Sequence, residues 1–367
     1  MQTSLGGGEV YAAFLCRALS RLGWATRLFV HPRASFWRDL DLPDDTVLAP
    51  VADASAAARL PTGPLWLLGH GPLPAALRTT LPGRLRTAIA HMPVQGRNPR
   101  DFEDHDRVFA VSGWVRDGLV AAGLPAWREP LYGVADLTRR AGGGEIRRAS
   151  RYDWDRRKLR DRMLGWLEPA AERFRPHPPY ARRDGLTLGI VSRLTPIKQF
   201  PLLFSRLAPV LARFPDVNLE VFGSGGYASV RDLDRALAPM AGRVRFWGHQ
   251  RDVASTYRSI DFLMTGLPEK EALGLNVIEA QACGTPVLAV AAPPFTETVL
   301  EGCTGFLYRD PRQDGGAGFA ALIERLRTLP QTLQPQEATA HLARFSFDAF
   351  VERLRSVVAW AQDELQR

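Results

Sequence analysis

Leu186-Thr187-Leu188-Gly189-Ile190-Val191, continuing into Ser192-Arg193-Leu194-Thr195-Pro196-Ile197-Lys198, reads as a buried strand that turns directly into a helix start. Six nearly unbroken apolar residues suit a strand covered on both faces, and Thr195 with Pro196 offers a cap and a first helical residue. A strand followed by a helix is the repeating unit of a parallel sheet. Moving outward, strand signals recur at residues 217–222, 244–247, 261–265 and 286–290, with helical spacings between them and a closing helix near 347–365. Toward the N-terminus the same alternation occupies 26–30, 46–51, 65–68, 87–90 and 107–111, preceded by an apolar helical spacing over 10–22.

The expected fold class is therefore α/β, with two doubly wound Rossmann-like domains facing a cleft. The reading assigns 1–136 to an N-terminal domain, 137–185 to a basic linker, 186–345 to a second, C-terminal domain and 346–367 to a closing helix. Only five residues precede Gly6, too few for the central strand of a doubly wound sheet, so the first domain either lacks its first strand or the start is late. On this reading the first domain is the less stable of the two.

The chain has 367 residues, 46% hydrophobic and 23% charged, which excludes disorder, a collagen-like repeat and a coiled-coil rod. The sequence shows neither a membrane-spanning run nor a secretory leader, and the expectation is a cytoplasmic protein. Cys16, Cys283 and Cys303 are widely spaced and support neither a disulfide framework nor a zinc site. Between Arg139 and Asp184 stand 14 basic and 7 acidic residues, so this segment carries +7 of the net +8. Lysine occurs only at 158, 198 and 270.

Two segments carry chemistry. Arg193 follows a strand end, and the spacing predicts Lys198 in the first turn of the next helix. A cation there opposes the helix dipole unless an anion compensates, so Lys198 with Arg193 points to a polyanion, most simply a diphosphate. The same reasoning predicts that removing Lys198 leaves the ligand-free protein as stable or slightly more so. In the segment from Glu271 to Pro286, Gly274 opens a short helix that Gly284 and Pro286 end; its first residues, Gly274 and Leu275, form another anion site. Glu271 precedes this helix and Glu279 lies within it, two acceptors suited to sugar or ribose hydroxyls.

With these residues the chain resembles the family 4 glycosyltransferases of GT-B fold, also called glycosyl transferases group 1. Arg193 with Lys198 resembles the family's basic pair on the donor diphosphate, and Glu271 to Glu279 resembles its E-x7-E motif, with Ala272 and Leu273 in place of the usual small-aromatic pair. The resemblance extends to Gly223-Ser224-Gly225-Gly226, to Val244-Arg245-Phe246-Trp247-Gly248 and to Gly305-Phe306-Leu307. In the first domain, Gly6-Gly7-Gly8-Glu9 looks like the family's glycine loop, Ser112-Gly113-Trp114 its late strand-to-helix step and Gly133-Val134-Ala135-Asp136 its closing turn.

The resemblance implies a retaining hexosyltransferase acting from a nucleotide diphosphate sugar on a saccharide or lipid-linked acceptor. Gly7, Gly8, Arg193, Lys198, Gly274, Leu275 and Glu279 would bind the donor, while Glu271 and His91 would be catalytic. His70, after the preceding strand, has a similar placement. No cofactor or metal is implied, because basic residues and helix N-termini can stabilise the departing phosphate. The D-x-D triplets at 39–41, 104–106, 153–155 and 232–234 do not closely follow a clear buried strand and read as chance matches.

The alternatives are a nucleotide-sugar epimerase of the same architecture and a non-catalytic partner subunit. Residues 155–167 place Leu159, Met163, Trp166 and Leu167 on one helical face among arginines. That pattern fits a peripheral membrane contact on the inner face, or an ordinary helix packed beside the second domain. Nucleic acid is not expected, because aromatic residues are not interleaved with the basic ones.

Overall fold

The computed structural model describes residues 7–51, 63–78, 83–94, 98–135, 144–154, 159, 161–166, 179–328 and 333–367. Gly6 and Leu167 lie outside them, as do most of the arginines in the linker. The chain divides into two compact units: Met1–Ala135 with Ala343–Arg367, and Asp136–Leu342.

In the first unit, helix α1 (Gly7–Arg21) is followed by parallel strands β1 (Thr26–Val30) and β2 (Thr46–Pro50). Strands β3 (Leu65–Gly69), β4 (Arg84–Ala90) and β5 (Arg107–Ala110) form a second parallel sheet, and helix α2 (Gly113–Ala121) follows. Among the described residues no strand joins the two sheets. Helix α1 buries Ala12 against Val30 and sets Tyr11 edge-on to His70 and His91, beyond the ends of β3 and β4. Ser112 caps α2, its hydroxyl accepting from the Val115 amide at 3.1 Å.

The closing helix (Phe347–Gln366) belongs to this first unit, although it follows the second in sequence. Phe347 meets Phe14, Phe350 meets Tyr11 edge-on at 5.5 Å, and Arg21 pairs with Asp348 at 2.6 Å.

The second unit contains one six-stranded sheet. Its strands are β6 (Leu186–Val191), β7 (Val217–Phe222), β8 (Val244–Gly248), β9 (Phe262–Met264), β10 (Val287–Val290) and β11 (Gly305–Tyr308). Their order is β11-β10-β9-β6-β7-β8, all parallel. All six residues of β7 are buried, as a strand covered on both faces requires. Helices α3 (Phe200–Leu211), α4 (Tyr227–Ala236), α5 (Val253–Arg258) and α6 (Leu275–Ala282) lie along this unit. Leu203, Phe204, Leu207 and Leu211 of α3 enter the same core as Leu188, Ile190, Leu219 and Val221 of the sheet. Strand order reverses at β6, between β9 and β7, so the open crevice of this sheet lies beyond the carboxyl ends of β6 and β9.

Strand ends lie within three residues of those read from sequence. Strand β11 was not among them. It is a four-residue edge strand opened by Gly305, where a Cβ would fall 2.2 Å from the Val287 oxygen, so glycine is needed for close pairing and the apolar signal is short.

Several basic residues around the linker are spoken for by the second unit. Glu220, fully buried on β7, accepts from Arg183, Arg245 and the Trp247 indole; Arg182 pairs with Asp261, and Arg151 reaches Asp234 at 3.6 Å. Residues 161–166 are helical. Asp161 is buried and Gly165 lies against Trp154, while Leu159, Met163 and Trp166 are 70, 58 and 80% exposed.

Candidate active site

The loops leaving β6, β7 and β9 meet at the crevice. Gly223 stands at φ 142°, with room for no more than hydrogen beside the Ser192 oxygen, 1.9 Å from an added Cβ. The Leu267 amide donates to the Lys198 oxygen at 3.2 Å, binding the β9 exit to the β6 exit. These approaches hold Arg193, Lys198 and Glu271 in one neighbourhood.

Lys198 is not in the first turn of an α-helix, contrary to the spacing argument. Pro196–Lys198 forms a separate 3-10 turn, and Thr195 precedes it without a side-chain cap bond. Gln199 then adopts φ 53°, and α3 starts at Phe200 with Pro201 in its first turn. Pro201 supplies the reason. In a helix begun at Pro196 it would lack the amide for a fourth-neighbour bond and clash with the preceding turn, whereas in a first turn it is favoured. The helix dipole therefore does not set the charge balance of Lys198. Its ammonium forms an ion pair with Glu271, the side chains 23 and 16% exposed. Arg193 is exposed, and its guanidinium makes no bond to a described side chain.

Gly274 precedes α6 at φ 81°, a left-handed conformation that glycine adopts without strain. The Val277 amide donates back to the Gly274 oxygen at 2.9 Å, the amides before it have no acceptor within the helix, and the dipole favours an anion there. Asn276 donates to the Val191 oxygen at 3.2 Å, docking the start of α6 on the end of β6. Glu279, one turn further in and half-buried, accepts from the Tyr257 hydroxyl at 3.3 Å. The structure thus brings Arg193, Lys198, Glu271, Gly274, Leu275 and Glu279 onto the loops and helix starts at one end of one sheet. Tyr257 was missed from sequence; its helix, α5, carries no motif, and only folding sets its hydroxyl beside Glu279.

In the first unit, Gly7 and Gly8 are the first residues of α1, and a side chain at either would touch nothing within 4 Å. The protein's own packing does not demand glycine there. His91 follows β4 and His70 follows β3, so both stand at carboxyl strand ends. Their nitrogens, His70 Nδ1 and His91 Nε2, are 3.0 Å apart with the rings 12° from coplanar. Burial lowers both imidazoles, to about 4 at His70 and about 3 at His91, where the neighbouring His70 adds to the fall. Solvent contact at the exposed His70 edge tempers the effect there.

The sequence profile of the family described as Glycosyl transferases group 1 matches residues 185–328, the core of the second unit. Over these residues the chain is similar to the group 1 glycosyltransferases. The chain is 26% identical to the D-inositol 3-phosphate glycosyltransferase of Geodermatophilus obscurus, over 98% of this chain and 86% of the relative. It is 33% identical to the phosphatidyl-myo-inositol mannosyltransferase of Mycolicibacterium smegmatis, over 38% of this chain and 36% of that one. Among solved structures, Anabaena HepE in complex with UDP and glucose superposes with a TM-score of 0.67 at 15% identity, covering 98 and 97% of the two chains. Sucrose-phosphate synthase from Thermosynechococcus elongatus gives 0.67 at 19%, covering 97 and 93%. At these identities the structural likeness establishes the GT-B fold of the chain.

Proposed function

We propose that the protein is a retaining, metal-independent hexosyltransferase that uses a nucleoside diphosphate sugar and glycosylates a hydroxyl of a saccharide or lipid-linked acceptor. The observation that carries this reading is the cation pair at the strand-order reversal: Arg193, whose guanidinium meets no described side chain, and Lys198 held by Glu271, near the amides that open α6. Two cations and a helix N-terminus suit a diphosphate and can stabilise it as a leaving group without a divalent ion. Glu279, held by Tyr257, is an acceptor for ribose or sugar hydroxyls. Glu271 and His91 orient the transferred sugar, and Gly7 and Gly8 leave the start of α1 open to phosphate oxygens.

The relatives named for inositol phosphates make a phosphorylated cyclitol an acceptor to assay beside simple saccharides. The outward Leu159, Met163 and Trp166, in a segment with a large arginine excess, support peripheral contact with an anionic membrane face. Among the described residues no helix is long and apolar enough to cross a membrane.

Calorimetry with nucleoside diphosphates in the presence of a chelator tests the clamp, and NMR of the product anomer from a donor panel tests retention. The expected results are binding without divalent metal and a product with the donor's anomeric configuration. Binding that requires metal would sink the proposed mechanism, and epimerised donor as the product would replace transfer by isomerisation.

A further inference from the structure

His70 and His91 are joined in a way that a lone histidine at a strand end does not predict. Strands β3 and β4 are adjacent and parallel, so the residues after their last pairs emerge side by side. Gly71 at φ 117° turns the chain sharply after His70, and Gly69 has no room for a side chain, with an added Cβ 2.5 Å from the Gly71 oxygen. The turn sets His70 Nδ1 3.0 Å from His91 Nε2 with the rings nearly coplanar, the arrangement of an in-plane N–H···N hydrogen bond. Tyr11 closes the pair from α1, its ring edge-on to His91 at 4.9 Å and to His70 at 6.2 Å.

We infer that His70 is a positioning residue for His91: it occupies Nε2, fixes the ring plane and tautomer, and leaves Nδ1 of an uncharged imidazole for the ligand. This rests on the reading that His91 meets the sugar or the acceptor. A hydrogen bond between two imidazoles holds one proton, so the tautomers are linked. When His70 donates, His91 presents N–H at Nδ1; when His91 donates, its Nδ1 is a bare acceptor. Two imidazolium rings at this distance would repel and lose the bond, which favours a neutral pair.

The surroundings agree with that state. Tyr11 faces the pair from α1 with its hydroxyl turned away to the Leu131 oxygen at 3.0 Å, and Arg353 of the closing helix acts on Tyr11. Among the described residues no carboxylate offsets the lowered basicity of either ring. A neutral His91 can donate to or accept from a sugar hydroxyl without bringing a full charge to it.

The test is 15N NMR of histidine-labelled full-length protein, beside steady-state kinetics of His70→Ala and His70→Asn. In the unmodified protein His91 is expected to show one tautomer and not to titrate between about pH 5 and 8, because its folded value lies below the ordinary one of about 6.5. In His70→Ala the His91 nitrogens should average between tautomers and titrate at higher pH, and kcat should fall about five- to tenfold, the worth of one net hydrogen bond. His70→Asn, which keeps an in-plane polar partner, should recover much of both. A His91 spectrum and kcat indifferent to His70→Ala would overturn the inference, as would failure of His70→Asn to recover either quantity. His91→Ala with unchanged kinetics would instead refute the role of His91 itself; the apo spectra separate the two failures.

Discussion

Lys198→Ala is the substitution whose outcome the structure reverses. The dipole argument from sequence expects the ligand-free protein to hold or gain stability. In the structure the ammonium is the partner of Glu271, and both side chains are about four-fifths buried or more. Exposed ion pairs contribute about 0.2–1 kcal/mol, and breaking a fully buried pair costs about 3–5 kcal/mol. With the pair between these limits, losing Lys198 is expected to cost about 1–2 kcal/mol, because Glu271 keeps its charge in a partly desolvated place. For a unit of this size each kcal/mol lowers Tm by about 2–4 °C, so the transition of the second unit should fall by about 2–8 °C. Donor affinity falls as well. A hydrogen bond to a charged group is worth about 1.5–3 kcal/mol, which corresponds to roughly a 10- to 100-fold weaker Kd for a nucleoside diphosphate. Differential scanning calorimetry and titration calorimetry read the two effects, and Glu271→Gln completes a double-mutant cycle with a coupling of about 1 kcal/mol. Unchanged Tm in Lys198→Ala would show that the ion pair contributes nothing, and unchanged affinity would place the diphosphate elsewhere.

Glu220→Gln should be more damaging than any substitution at the crevice. It leaves Arg183 and Arg245 facing a neutral group on a fully buried strand, at a cost of about 3–5 kcal/mol that urea unfolding would register. For the first unit, pH is the lever. His70, His91 and His105 all have folded values below the unfolded value of about 6.5, so the unfolded chain takes up more protons. Stability is complete above that pH and is lost as pH falls through it, and a Tm for this unit that does not fall between pH 7 and 5 would contradict the assignment. The outward Leu159, Met163 and Trp166 should give weak, salt-sensitive co-sedimentation with anionic vesicles that Trp166→Ser reduces. No pelleting at low salt removes the membrane contact.

The alternation of apolar runs with helical spacings was enough to read an α/β chain with two Rossmann-like parts, because a strand buried on both faces has to be written in consecutive apolar residues. The residues of the proposed phosphate site were legible for a similar reason. Cations at a strand exit and glycine at a helix start are local choices, and they mark their place wherever the chain goes. Folding decided the partners. The ion pair between Lys198 and Glu271 spans 73 positions, and the Tyr257 hydroxyl reaches Glu279 across 22. The coplanar His70 and His91 come from strands adjacent in the sheet and 21 positions apart in the chain. Pro201 shows the limit within a single segment: its effect on where α3 begins was in the sequence, but Thr195 and Pro196 presented an equally good local start. A charge, a cap or a glycine is a property of one residue and its neighbours, and sequence carries it. Which charge it meets, and hence whether removing it stabilises or destabilises, depends on strand order and loop approach, which only the tertiary structure sets.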